Sequence, residues 1–149
     1  SVHRHSTINV ESQAVEIVAE KFAGRLPHVM TFHALAHAIA METQPVCNLR
    51  VARHAVSLGG TATMEEWMAH FIRLGLEGFE GLLSQAAELS YCHGEAPGLA
   101  DICLVPQVYN ARRWHVDLAS FPRLAAISAR AEQLPAFAAA HPDRVKPVP

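Results

Sequence analysis

Apolar residues recur at helical spacing along most of the chain, and turn residues fill the stretches between them. Val15, Val18 and Phe22 mark one face of a first helix, with Ser12 as its N-cap and Gly24 and Pro27 as its stop. Ahead of it, residues 6–10 form one short β-prone stretch with weak alternation and no second strand to pair with. Over residues 30–57, Phe32, Leu35, Ile39, Val46 and Leu49 lie near helical spacing and predict one long helix. Pro45 sits inside it and predicts a kink or a break, because its ring removes a backbone donor and clashes with the preceding turn.

Gly59 and Gly60 end that helix, and Thr63 followed by Glu66 reads as a capping box opening the next. That helix carries Trp67, Phe71, Leu74, Phe79, Leu82 and Leu83 as its apolar face. Residues 91–98 are a polar loop. Residues 99–110, with Ile102, Leu104, Val105 and Val108, are hydrophobic almost all round and predict a central buried helix. Pro122 opens a helix to about Gln133, Pro135 opens a short one, and residues 142–149 form an extended tail. The pattern as a whole predicts an all-α helical bundle of about five or six helices.

Composition narrows the function classes. Half the residues are apolar and 17% are charged, which excludes an extended disordered chain. A net charge of -2 with scattered Lys and Arg gives no footprint for nucleic acid. No apolar run approaches the ~18 residues of a membrane span. Three cysteines without a pairing motif fit a reducing compartment, so a cytoplasmic location is expected.

Several groups invite a chemical reading. His33 and His37 are four apart and would share a helix face, but Ala34 stands where a zinc-protease motif needs Glu, and no third ligand is marked by spacing. No metal is expected. Gly75, Gly78 and Gly81 are wrongly spaced for a phosphate loop and fall within a helical pattern, where small residues permit close helix approach. Cys92 beside His93 lacks a third orienting group and reads as a partly buried thiol rather than a nucleophile. Arg112 and Arg113 end the buried helix. They are either a charge pair complementing the helix dipole or a fork for a substrate carboxylate. Glu11 and Ser12 stand where a strand would turn into a helix, whose exposed amides can cap or hold an anion.

The stretch Tyr91-Cys92-His93-Gly94, followed by Leu99-Ala100-Asp101-Ile102-Cys103-Leu104-Val105-Pro106-Gln107-Val108-Tyr109-Asn110-Ala111-Arg112-Arg113-Trp114, resembles the C-terminal domain of the zeta-class glutathione transferases, the maleylacetoacetate isomerase family. Phe121-Pro122, Leu134-Pro135-Ala136-Phe137 and Ala140-His141-Pro142 continue the likeness, and Gln44-Pro45-Val46-Cys47-Asn48-Leu49-Arg50 is similar to the family's turn between its first two long helices. Trp67, His70-Phe71-Ile72, Gly75 and Glu80 match the next helix, so the resemblance runs over about residues 11–142.

The resemblance implies a glutathione-transferase C-terminal fold for residues 27–149 and a remnant of the thioredoxin-like domain in residues 1–26. The chain then reads as a truncated form, with most of the thioredoxin-like half and its thiol-activating Ser- and Cys-containing motif missing. It further implies that Glu11 and Ser12 receive the γ-glutamyl end of glutathione, that Gln44, Asn48, Leu49 and Arg50 lie near it, and that Arg113, with Arg112 beside it, lines a pocket for a small dicarboxylate electrophile. The implied activity is glutathione-dependent cis–trans isomerisation of maleylacetoacetate to fumarylacetoacetate in tyrosine and phenylalanine breakdown, by a homodimer. The competing expectation is a non-catalytic helical module for binding or protein association. Where the family has Thr before Leu-Ala-Asp this chain has Gly98, which removes a side-chain oxygen from the cap at little cost.

Overall fold

The structure, a computed structural model, describes residues 28–145, with side chains from residue 33 onward. Helix α1, His28–His37, runs directly into a π-helical stretch, Ala38–Thr43, and then into the short α2, Gln44–Val46. After a break at Cys47 and Asn48 come α3 (Leu49–Ser57), α4 (Met64–Ser84), α5 (Leu99–Arg113), α6 (Pro122–Glu132), α7 (Pro135–Ala139) and α8 (Pro142–Val145). No strand occurs among the described residues; Tyr91 and Gly94 form an isolated antiparallel bridge. The architecture is the all-α bundle that the periodicity predicts. The expected strand near residue 8, the helix after Ser12 and the domain boundary at residue 26 lie outside the described residues.

The single helix predicted over residues 30–57 is divided. In an unbroken α-helix the Pro45 ring would strike the carbonyl four residues back. Here the turn ahead of it is widened, and the Gln44 amide bonds to Ile39 O, five residues back. Asn48 then restarts the chain, with extended backbone and a side chain that accepts from Arg50 N at 3.0 Å. Leu35 and Ile39 are buried as expected, whereas Leu49 is 42% exposed, since the break turns it off the face it would share in one continuous helix.

Thr63 and Glu66 form the capping box, with the Thr63 amide donating to Glu66 Oε2 at 2.7 Å and the Glu66 amide to Thr63 Oγ1 at 3.1 Å. The buried stripe of α4 is Met68, Ile72, Leu76, Phe79 and Leu83. Phe79 and Leu83 match the expected face. Leu74 is half-exposed, because the stripe runs on a helix face adjacent to the one read from Trp67 and Phe71. Of the three glycines, Gly75 alone permits a close approach: a Cβ there would meet Thr43 Oγ1 at 1.9 Å, while Gly78 and Gly81 face open space.

Helix α5 crosses the middle of the bundle and buries Ala100, Asp101, Leu104, Gln107, Val108 and Ala111. It is not buried all round, as Leu99 and Ile102 face outward. Glu80 of α4 caps α6, accepting from Arg123 N and Leu124 N at 2.9 Å each. The Arg123 side chain returns the favour at the end of α4, donating to the carbonyls of Leu83, Ala86 and Ala87.

Candidate functional site

Gln44, Asn48, Leu49 and Arg50 fall at one corner, where α2 gives way to α3, and all four are exposed. Local chemistry builds this corner. Pro45 stands within the first turn of α2, where a missing N–H costs nothing. Asn48 uses its side-chain oxygen to cap α3, which leaves its NH2 group as the outward donor. Helix α4 holds the corner from below: the Trp67 indole donates to Val46 O at 3.0 Å, and Trp67 packs on Phe71 with ring centroids 4.7 Å apart.

Cys47, between Val46 and Asn48, is 8% exposed, and burial pushes its thiol up to about 11. It is therefore a neutral packing group near neutral pH and no nucleophile. Cys92 is likewise buried, its thiol raised by desolvation first and by the nearby Asp101 carboxylate second. That environment argues against a Cys92–His93 nucleophilic pair. His33 and His37 lie on the surface with rings 6.1 Å apart, and among the described residues no cluster of three or more His, Cys, Asp or Glu could hold a metal.

The two arginines at the end of α5 part company. Arg112 turns toward α6 and donates to Glu132 Oε1 at 2.9 Å, an oxygen that also accepts from Ser128. It lines a shallow cavity of about 110 Å³ with Tyr109, Phe137 and His141. Arg113, one residue and about 100° farther round the helix, is exposed, with its guanidinium carbon 5.9 Å from the Trp114 ring centroid. The helix stops just beyond it. His115 takes positive φ (57°), and Val116 N bonds to Ala111 O at 3.0 Å, closing the end as a Schellman turn. Both arginines are exposed, and what separates them is that Arg112 pairs with Glu132 while Arg113 lies against Trp114.

Glu11 and Ser12 lie outside the described residues. Sequence reasoning passed over Thr43, which lies under the corner, 2% exposed, with its hydroxyl donating to Ala38 O at 3.1 Å. Its local signal is its place two residues before the helix-breaking Pro45.

No protein-family model matches the chain. A maleylacetoacetate isomerase of Rhizobium meliloti is 54% identical over 116 residues, which make up 76% of this chain and 54% of that protein. The chain spans about half the length of such curated relatives. Among solved structures, a maleylacetoacetate isomerase of Anaeromyxobacter dehalogenans with glutathione bound in its active site superposes with a TM-score of 0.74 at 38% identity, over 80% of this chain and 55% of that one. A glutathione S-transferase of Legionella pneumophila superposes with a TM-score of 0.72 at 32% identity, over 90% of this chain and 77% of that one. A bundle that agrees in fold, over most of its length, with proteins this similar in sequence places the chain in the glutathione S-transferase family, with maleylacetoacetate isomerases among its relatives.

Proposed function

We propose that this chain supplies the helical side of a glutathione-dependent isomerase active site, acting on maleylacetoacetate or a similar small dicarboxylate. The observation that carries the reading is that Gln44, Asn48, Leu49 and Arg50, the residues which the family resemblance sets near glutathione, all lie exposed on one anchored corner. Their chemistry suits the ligand. Two amides can pair with peptide groups, Leu49 offers apolar contact, and Arg50 can meet a carboxylate.

When bound, glutathione supplies a thiol that adds reversibly to the conjugated double bond, so that the resulting single bond can rotate. The chain's own residues bind and orient. Gln44 and Asn48 hold the peptide, Glu11 and Ser12 receive its γ-glutamyl end, and Arg113 holds a substrate carboxylate in place. The exposed Arg113 suits a dicarboxylate better than Arg112, whose charge is already met by Glu132. Activation of the thiol is left to the thioredoxin-like half of the fold. A homodimer in the cytoplasm, serving aromatic amino-acid breakdown, completes the proposal. No helix among the described residues is long and apolar enough to cross a membrane.

A second reading, a non-catalytic association module, draws on Met41, Leu74, Leu99 and Ile102, which are 63%, 50%, 47% and 58% exposed. Apolar side chains outside the core favour contact with another protein surface. An isomerisation assay with maleylacetoacetate and glutathione, run on this chain together with a thioredoxin-like half that activates the thiol, separates the two. Turnover above the glutathione-only rate supports the isomerase, and its absence from a chain that still binds glutathione supports the module.

A further inference from the structure

The corner that carries Gln44 and Asn48 is gripped by α4 at two points, one on either side of Gln44 and Pro45. On the far side the Trp67 indole holds Val46 O at 3.0 Å. On the near side Thr43 lies against Gly75 so closely that any Cβ at position 75 would overlap its hydroxyl. The Thr43 hydroxyl is in turn spent on Ala38 O, five residues back, and the Gln44 amide reaches Ile39 O, also five back. The second is the backbone i→i−5 bond of the π register, and the first ties the Thr43 side chain to the same turn. A π turn inserts one residue relative to an α-helix, which rotates everything after it by about 100° about the axis. The direction in which Gln44 faces is therefore set within the turn that Thr43 and Gly75 hold, and Asn48 follows across the break, two residues beyond the Val46 carbonyl that Trp67 holds.

We propose that Thr43 and Gly75 are positioning residues for glutathione: their contact locks the π turn and so fixes the direction in which Gln44 and Asn48 present their amides. The proposal rests on the reading of this corner as the glutathione site. Neither residue touches the ligand; both act through the two amides. A packing role alone would lower stability without changing where those amides point.

The test is Gly75→Ala in the full 149-residue chain, read in two ways. The side-chain amide NMR signals of Gln44 and Asn48, recorded without ligand, are expected to shift. Glutathione affinity is expected to fall about tenfold, the effect of losing one well-placed hydrogen bond. Adding Thr43→Ala to Gly75→Ala relieves the overlap but also deletes the bond to Ala38 O, so it is expected to recover stability while leaving both effects in place. If Gly75→Ala does not fold, Thr43→Val keeps the volume, deletes the bond to Ala38 O, and is expected to move the same two signals. Unmoved amide signals in a folded variant overturn the proposal. Displaced amides with unchanged glutathione affinity overturn the role in binding. If the unmodified chain binds no glutathione while the amides still move, the reading of the corner fails and the clamp geometry stands.

Discussion

Asp101, 1% exposed, accepts the amide of Cys92 at 3.0 Å through one carboxylate oxygen and that of Gly98 at 2.8 Å through the other. One side chain thus fastens the loop between α4 and α5 to the first turn of the central helix. It also supplies the reciprocal half of a cap whose other half Gly98 cannot provide. Asp101→Ala would leave two amides without partners. We expect a loss of about 3 kcal/mol in urea unfolding, since hydrogen bonds to a charged group contribute about 1.5–3 kcal/mol each and do not add fully.

The glycines of α4 are expected to respond in opposite directions. Gly78 meets nothing within 4 Å, so Gly78→Ala gains helix propensity and should stabilise the fold by about 0.5–1 kcal/mol. Gly75→Ala should destabilise it, because Thr43 stands in the way. Thermal unfolding of the two variants checks the contrast.

Arg112 and Arg113 should separate in the same manner. With a thioredoxin-like half present to activate the thiol, Arg113→Ala is expected to lower kcat/KM for a dicarboxylate substrate by about 100-fold, as removal of a charge-assisted contact does. Arg112→Ala should leave kcat/KM nearly unchanged. It should also cost no more than about 1 kcal/mol of stability, because its ion pair with Glu132 is half-exposed and screened. Steady-state kinetics and a melting curve on each variant decide it.

Burial raises the Cys47 thiol from 9.0 to about 11, so the folded chain holds its proton over a range in which the unfolded chain releases it. Folding stability from this group is full below pH 9 and is lost as pH rises from about 9 to about 11. Cys47→Ala should flatten that part of the stability–pH curve. By the same reasoning, Cys47 and Cys92 should resist a thiol reagent in the native state and react on unfolding, with the less buried Cys103 reacting first.

Features written in neighbouring residues were legible in the sequence. The Thr63–Glu66 box, the proline starts at Pro122 and Pro135, and the disruption at Pro45 all arise from contacts within one turn. Features that depend on a partner distant in sequence were not. Gly75, Gly78 and Gly81 look alike in the chain, and only the approach of Thr43 distinguishes the first. Ile102 reads as core because helical spacing cannot say which side of a uniformly apolar helix will be left uncovered. Glu80 caps α6 from forty-three and forty-four residues away, a contact no local pattern signals. For the corner, attention to Gln44, Asn48, Leu49 and Arg50 came from the family resemblance and not from any local pattern, whereas Arg112 and Arg113 also stood out as a charge pair at a helix end. That Arg112 rather than Arg113 turns to Glu132 depended on the packing of α6 against α5.

A calorimetric titration of the chain with glutathione, run beside Gln44→Ala, decides whether the corner binds the peptide. Gln44 is exposed and caps nothing through its side chain, so the substitution tests binding without disturbing the fold. Saturable binding that weakens in Gln44→Ala is expected. No binding at millimolar glutathione, or binding that Gln44→Ala leaves untouched, would contradict it.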